Sequence, residues 1–155
     1  MPEKASRSAK KDRLIVGIRG ASGSAIGIRL LDAISELGLE SHLVVSKAGA
    51  MTIGYETPFK PKQVLDKADY TYGIDDIAAP IASGSFKTKG MIIAPCSVKT
   101  MSEIATGVTT SLISRAADVQ LKERRPLIRG GVPFFRVGVG EIRRGDQLSC
   151  SLATD

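Results

Sequence analysis

Two stretches of this chain place a short run of apolar residues directly before a turn of small polar ones. Leu14-Ile15-Val16-Gly17-Ile18 runs into Arg19-Gly20-Ala21-Ser22-Gly23-Ser24, and Met91-Ile92-Ile93-Ala94 runs into Pro95-Cys96-Ser97-Val98-Lys99-Thr100. An unbroken apolar run bounded by Gly or Pro fits a strand buried on both faces, as in a parallel sheet covered by helices. After the first turn the period becomes helical. Ile26, Leu30, Ile34 and Leu37 fall on one face, and Gly38 supplies a stop. His42-Leu43-Val44-Val45 reads as a second strand, ending at Ser46-Lys47. Strand, glycine turn, helix and strand form a βαβ unit, which sets the class as α/β with an open parallel sheet and helices on both faces.

The remaining segments extend that pattern. Lys47 to Tyr55 and Pro61 to Ala68 are expected helices, the second with Pro in its first turn. Ile77 to Phe86 is small and apolar and reads as a loop lining a site. Ser111 to Arg125 is a strong helix expectation, with Leu112, Ala116 and Val119 as its stripe and Pro126 as its end. Leu127-Ile128 opens a further strand that the sequence does not continue. Beyond it, residues 129–155 hold five glycines and scattered arginines without a period. The expected organisation is a disordered basic leader over 1–13, one domain over 14–128, and a Gly/Arg-rich tail over 129–155.

Composition removes several function classes. A chain of 155 residues is one ordinary domain. No apolar run approaches the length of a membrane span, so no membrane association is expected. Cys96 and Cys150 form no zinc spacing, and the single histidine, His42, allows no His-based metal cluster, so no metal is expected. The net charge of +6 suggests a nucleic-acid partner until the charge is located. Residues 1–13 carry five Lys/Arg against two acids, and residues 121–155 carry seven against four, a net +3 each. Residues 14–120 carry ten of each sign. The domain body therefore has no basic excess, and no nucleic-acid partner is expected.

The turn Gly20-Ala21-Ser22-Gly23 stands where α/β folds bind phosphate, between a strand and the helix it opens. It is neither GxGxxG nor a Walker loop, so by itself it is equally well a tight turn. The turn Cys96-Ser97-Val98-Lys99-Thr100 and Ser46 follow other strands, and strand C-termini line the ligand crevice of such sheets. Cys96 has no histidine nearby in the pattern and reads as a small packed residue rather than a nucleophile. His42, at a strand start, reads as structural or surface. Arg115 and Lys122 lie two helical turns apart on one face, a spacing that suits a phosphate or two solvated charges.

Six segments together resemble the UbiX flavin prenyltransferases: Gly17 to Gly23, Ile28 to Leu31, His42 to Lys47, Ile81 to Phe86, Met91 to Thr100, and Arg115 to Leu127. The resemblance covers about residues 13–128. It implies a flavodoxin-like Rossmann variant, cytoplasmic and usually a homododecamer, with FMN bound between subunits. It implies transfer of a dimethylallyl group from dimethylallyl phosphate to reduced FMN. The product, prenylated FMN, would serve a UbiD-type decarboxylase. Carried over by position, Gly20, Ala21 and Ser22 match the first FMN turn, Ser46 the serine after the second strand, and Cys96, Ser97, Val98 and Lys99 the second FMN turn. Arg115 and Lys122 match helix cations for the donor phosphate, and Ser22 also matches the active-site serine.

The resemblance fails after Leu127. The family continues into Arg-Glu-Thr-Pro-Leu, whose Arg contacts FMN and whose Glu acts in catalysis. Here the stretch reads Ile128-Arg129-Gly130-Gly131-Val132-Pro133-Phe134-Phe135, with no Glu before Glu141. The donor-site Tyr has no counterpart either, because the last Tyr is Tyr72. Arg19 stands where Ser or Thr is common. The expectation is an impaired flavin prenyltransferase. The alternatives are an FMN-binding protein without catalysis and a subunit of a hydroxybenzoate-type decarboxylase.

Overall fold

A computed structural model describes residues 11–130 and, for the main chain alone, 140–141. The termini of the expected organisation, residues 1–10 and most of 131–155, lie outside the described residues. Five parallel strands form the sheet: β1 (Arg13–Ile18), β2 (Glu40–Val45), β3 (Tyr70–Tyr72), β4 (Gly90–Ile93) and β5 (Leu127–Arg129). A two-residue strand, β6 (Gly140–Glu141), pairs antiparallel with β5. The order is β3-β2-β1-β4-β5-β6. The chain thus winds one way from β1 to β3 and the other way from β4, the doubly wound Rossmann order, and the reversal falls between β1 and β4.

Burial on both faces explains why the central strands read as apolar runs. One core packs Ile15, Val44, Met91 and Ile93 against Leu112, Ile113, Ala116 and Ala117 of α5 (Leu112–Lys122). The opposite core packs Val16, Ile18 and Leu43 against Ile28, Leu31 and Ile34 of α1 (Ser24–Glu36). Ile53 of α2 (Lys47–Glu56) and Val64 of α3 (Pro61–Leu65) complete that second core. Alternate residues of β1 therefore serve opposite layers, as the strand period requires.

Several elements differ from expectation. Ile26 and Leu37 are exposed at 51% and 73%, so the buried stripe of α1 is Ile28, Leu31 and Ile34 rather than Ile26, Leu30, Ile34 and Leu37. The helix is rotated to bring Gly27 against the Ala94 carbonyl, where a Cβ would collide. The expected helix Pro61 to Ala68 stops at Leu65. The strong helix expected over Ser111 to Arg125 is α5, with Ser111 as its N-cap and Glu123 as its C-cap. The turn after β4 is shorter than expected, because α4 (Val98–Thr106) already contains Thr100. Ile77 to Phe86 is not an open wall. Ala79, Ile81 and Ala82 are buried in the first core, the last two within a 3-10 turn.

At the domain edges, Arg13 belongs to β1, and Asp12 accepts the Glu40 amide through its carbonyl at 2.8 Å. The strand begun by Leu127 is completed by Arg129, and Gly130 remains bonded to the sheet. The described strands thus include Arg13 and Arg129, at the edges of the expected domain.

His42 is buried, at 2% exposure, in a polar cluster where β1, β2 and β3 begin. Its Nδ1 lies 2.9 Å from the Tyr72 hydroxyl and its Nε2 lies 2.8 Å from Glu40 Oε1. Arg13 Nε donates to the same carboxylate oxygen at 3.0 Å, and its guanidinium stacks on Phe86. Tyr70 stacks on the imidazole. A neutral imidazole satisfies every partner, with Nε2–H donating to Glu40 and Nδ1 accepting from Tyr72. Burial holds His42 below its ordinary value, against the pull of the Glu40 bond and charge. Glu40 is itself held low, because the bonds from His42 and Arg13 outweigh its own desolvation.

Both shifts cost stability in acid. The unfolded chain takes up the histidine proton first, near 6.5, while the folded chain takes it up only lower. Stability from His42 is complete above 6.5 and declines as pH falls below it. Urea denaturation at pH 8 and pH 5.5 should show that decline. His42→Gln should be less stable at pH 8 by roughly 1–3 kcal/mol, with a flatter pH dependence. An equal slope in the variant would assign the decline to other groups.

Candidate functional site

Three turns leave the carboxyl ends of β1, β2 and β4 and are laced together through the main chain. The Ser46 amide donates to the Ile18 carbonyl at 3.0 Å. The Arg19 amide donates to Pro95 at 3.1 Å, and the Cys96 amide to Gly130 at 2.8 Å. The structure therefore brings Gly20, Ala21, Ser22, Ser46, Cys96 and Ser97 to one edge, at the point where the strand order reverses. Close backbone approach fixes their spacing. A Cβ on Gly20 would run into Ala48, and one on Gly49 would lie 2.6 Å from the Ile18 carbonyl oxygen.

The turn serines cap the helices that follow. Ser46, 6% exposed, accepts the Gly49 amide at 2.9 Å as N-cap of α2. Ser97 accepts the Thr100 amide at 3.3 Å as N-cap of α4 and donates to the Thr100 hydroxyl at 3.0 Å. A capping serine accepts with a lone pair, so the Ser46 hydroxyl proton remains available to a ligand. Val98 and Lys99 are exposed on the first turn of α4. Lys99 Nζ lies 3.8 Å from Glu103, a buried carboxylate that also accepts the Thr110 hydroxyl at 2.6 Å.

Cys96 is 5% exposed, and burial pushes its thiol up to about 11 against the positive charges of Arg129 and Arg19. A thiol so far above neutrality is protonated and packs as a small apolar residue, as the sequence implies.

The α1 N-terminus is arranged differently from the simple phosphate cradle. Gly23 adopts φ 108°, a left-handed geometry that suits glycine, and no side chain of the turn caps the helix. Instead Glu56, at the end of α2, accepts the amides of Gly23 and Ser24, both at 3.1 Å. Slight burial opposes its charge, but those amides, with the Ser22 hydroxyl, hold the carboxyl below the usual range. Glu56 therefore remains ionised beside Ser22 throughout the neutral range. Sequence reasoning missed it because the pair is thirty-three residues apart and no local pattern joins them.

Arg115 and Lys122 are exposed on α5, seven residues or about 10 Å apart along the axis. The two ends of this helix lie at opposite edges of the sheet. Ile113 packs near Gly17, close to the turns. At the far end, Arg125 donates to the carbonyls of Gly84 at 2.8 Å and Phe86 at 2.9 Å. Phe86 packs on Arg13 and His42, where the strands begin. Lys122 is thus held away from the turns within one chain. Gly84 is covered by the Glu123 side chain and is not a free wall.

This arrangement, a doubly wound sheet with small-residue turns laced at its switch point, defines a nucleotide- or flavin-binding class of α/β domain. A family model described as Flavoprotein matches residues 2–133. The UbiX flavin prenyltransferase of Escherichia coli strain K12 is 53% identical over 117 residues, covering 75% of this chain and 62% of that protein. A probable UbiX-like flavin prenyltransferase of Sedimentibacter hydroxybenzoicus is 43% identical over 141 residues, covering 89% and 75%. The crystal structure of AnUbiX (PadA1) with FMN and dimethylallyl pyrophosphate superposes with TM-score 0.78 at 48% identity, covering 79% and 65%. The chain belongs to the UbiX-type flavin prenyltransferases of the Flavoprotein family. It spans 62% of the E. coli relative and 48% of the mitochondrial flavin prenyltransferase PAD1 of Saccharomyces cerevisiae.

The lacing predicts opposite outcomes for two glycines of α2. Gly49→Ala must push the helix off the Ile18 carbonyl and should cost about 1–3 kcal/mol. Gly54, with open space around its Cβ position, should gain roughly 0.5–1 kcal/mol on mutation to Ala. Thermal denaturation would show the two melting temperatures moving apart. Equal shifts would mean that the α2–β1 contact is not tight.

Proposed function

We propose that this chain is a flavin prenyltransferase: it binds reduced FMN and transfers to it the dimethylallyl group of dimethylallyl phosphate. The observation that carries this reading is the lacing of the three turns at the switch point, which brings Ser22, Ser46 and Ser97 to one edge. Gly20, Ala21 and Ser22 leave room for a planar ring, and Ser46 with Cys96, Ser97, Val98 and Lys99 supplies the polar contacts. No metal is called for. When bound and reduced, the flavin would supply the electron-rich ring that takes up the allyl group.

The residues' own tasks follow from their chemistry. Breaking an allylic C–O bond leaves its electron pair on phosphate, and Arg115 and Lys122 offset that charge. Ser22, held beside ionised Glu56, is placed to pass a proton. Lys122 lies at the far edge of its own sheet, so its service at a site built on the turns calls for a second copy of the chain. A homo-oligomer, for which the dodecameric UbiX-like protein of E. coli O157:H7 is a precedent, would provide it. Prenylated FMN is the product, and a UbiD-type decarboxylase would receive it. Among the described residues no helix is long and apolar enough to cross a membrane, and the proposed setting is cytoplasmic. The separation of Lys122 from the turns in one chain also favours a second reading, flavin binding without turnover.

The protein should bind FMN, seen as quenching of flavin fluorescence. Incubation with reduced FMN and dimethylallyl phosphate, followed by mass analysis, should show prenylated flavin. The absence of the Arg-Glu-Thr-Pro-Leu glutamate should slow turnover by a factor of roughly 10²–10⁴ against a full-length relative. Binding without product would favour the second reading, and absence of binding would remove both.

A further inference from the structure

α4 carries two charged residues, Lys99 on its first turn and Glu103 on its last. Glu103 is 7% exposed, and three features oppose a carboxylate there. Burial strips it of water. The last turn of a helix disfavours negative charge. Its Oε2 is buried with no hydrogen-bond partner among the described residues. Two groups answer the charge, both at Oε1. The Thr110 hydroxyl donates at 2.6 Å, and Lys99 Nζ lies 3.8 Å away, one helical turn back. The two ends of that ion pair differ sharply, since the Lys99 side chain is 71% exposed and that of Glu103 is 8% exposed. A solvated ammonium gains little from such a pair. A buried carboxylate with a spare acceptor gains much more from a nearby cation. The pairing is therefore driven from the Glu103 side, and Thr110 fixes the carboxylate from the segment before α5.

We infer that Glu103 is a positioning residue: with Thr110 it holds the Lys99 ammonium at the first turn of α4, so that this turn presents a fixed cation to an anionic flavin nucleotide. The inference rests on the flavin reading for its ligand, but the pairing itself does not. A lysine on an exposed helix start has a flexible four-carbon stem, and ordering it on binding costs affinity. Holding it in advance removes part of that cost. A purely structural role fits Glu103 less well. A glutamine of the same shape would fill the space and keep the Thr110 bond without burying a charge. A residue that breaks the rules of burial and helix charge together, beside a ligand turn, is where such rules give way to function.

Glu103→Gln should therefore move stability and binding in different directions. Its melting temperature should equal or exceed that of the unaltered protein, while FMN affinity falls roughly two- to fivefold. Lys99→Met should lose at least as much, and the double variant no more than Lys99→Met alone. Lys99→Arg, which keeps the charge, should retain most of the affinity. A carboxylate that merely repels the ligand predicts the opposite sign, tighter FMN binding by Glu103→Gln. That result, unchanged affinity in either single variant, or additive losses would overturn the inference. If Glu103→Gln does not fold, Thr110→Val is read in its place and should show a smaller loss in the same direction; no loss overturns the inference. A ligand-free measurement keeps the pairing separate from the flavin reading. The side-chain ammonium resonance of Lys99, assigned by its disappearance in Lys99→Arg, should shift on Glu103→Gln without flavin present, and an unmoved resonance overturns the pairing. A protein that binds no FMN would sink the flavin reading, and that resonance alone would then decide whether Glu103 holds Lys99.

Discussion

The carboxyl end of β1 is the constraint on which the rest of the molecule depends. β1 is the central strand, paired on one side with β2 and on the other with β4, so its last polar groups are buried and must be satisfied. The Ile18 carbonyl takes the Ser46 amide and the Arg19 amide takes Pro95. Those bonds are at once structural necessities and the means by which three separate turns become one surface. Gly20, Gly27 and Gly49 allow the contact, since each sits where a Cβ would strike Ala48, the Ala94 carbonyl or the Ile18 carbonyl. A site built this way is held by strands rather than by loop conformation, the condition under which reacting groups keep their geometry.

The parts of the fold that were legible in sequence are those dictated by burial on two faces. β1, β2 and β4 have no polar face to hide, so their apolar runs are unambiguous. The α1 stripe was not legible, because Ile26, Leu30 and Leu37 satisfy a helical period as well as Ile28 and Leu31 do. The choice between them was made by packing of Gly27 on the Ala94 carbonyl, a tertiary contact. β3 was hidden because it is short and largely exposed, with Tyr70 stacked on His42 and only Tyr72 reaching the first core. α4 was hidden because its N-cap, Ser97, lies within a run of small polar residues that reads as a turn.

The site divides along the same line. The position of the turns was readable, because each small-residue run directly follows a buried strand. Glu56 was not, because its partner amides lie on another helix and only the fold brings them together. Its position changes the electrostatics of the first turn. A helix N-terminus that would attract an anion already holds one, and the adjacent turn offers Ser22 rather than open amides.

The charge on the edge then has a definite pattern. A carboxylate closes the α1 end, while Arg19 after β1 and Arg129 at the end of β5 stand to either side of the Cys96 turn. Lys122 and the end of α5 are fixed at the other edge by the bonds of Arg125 to Gly84 and Phe86. On the proposed reading the donor phosphate would meet Arg115 near the turns but Lys122 only across a gap of about 10 Å. One chain therefore holds Arg115 and Lys122 at opposite ends of α5, with only the Arg115 end near the turns. On the proposed reading a neighbouring copy would bring its own α5 to these turns without disturbing the bonds that hold this one.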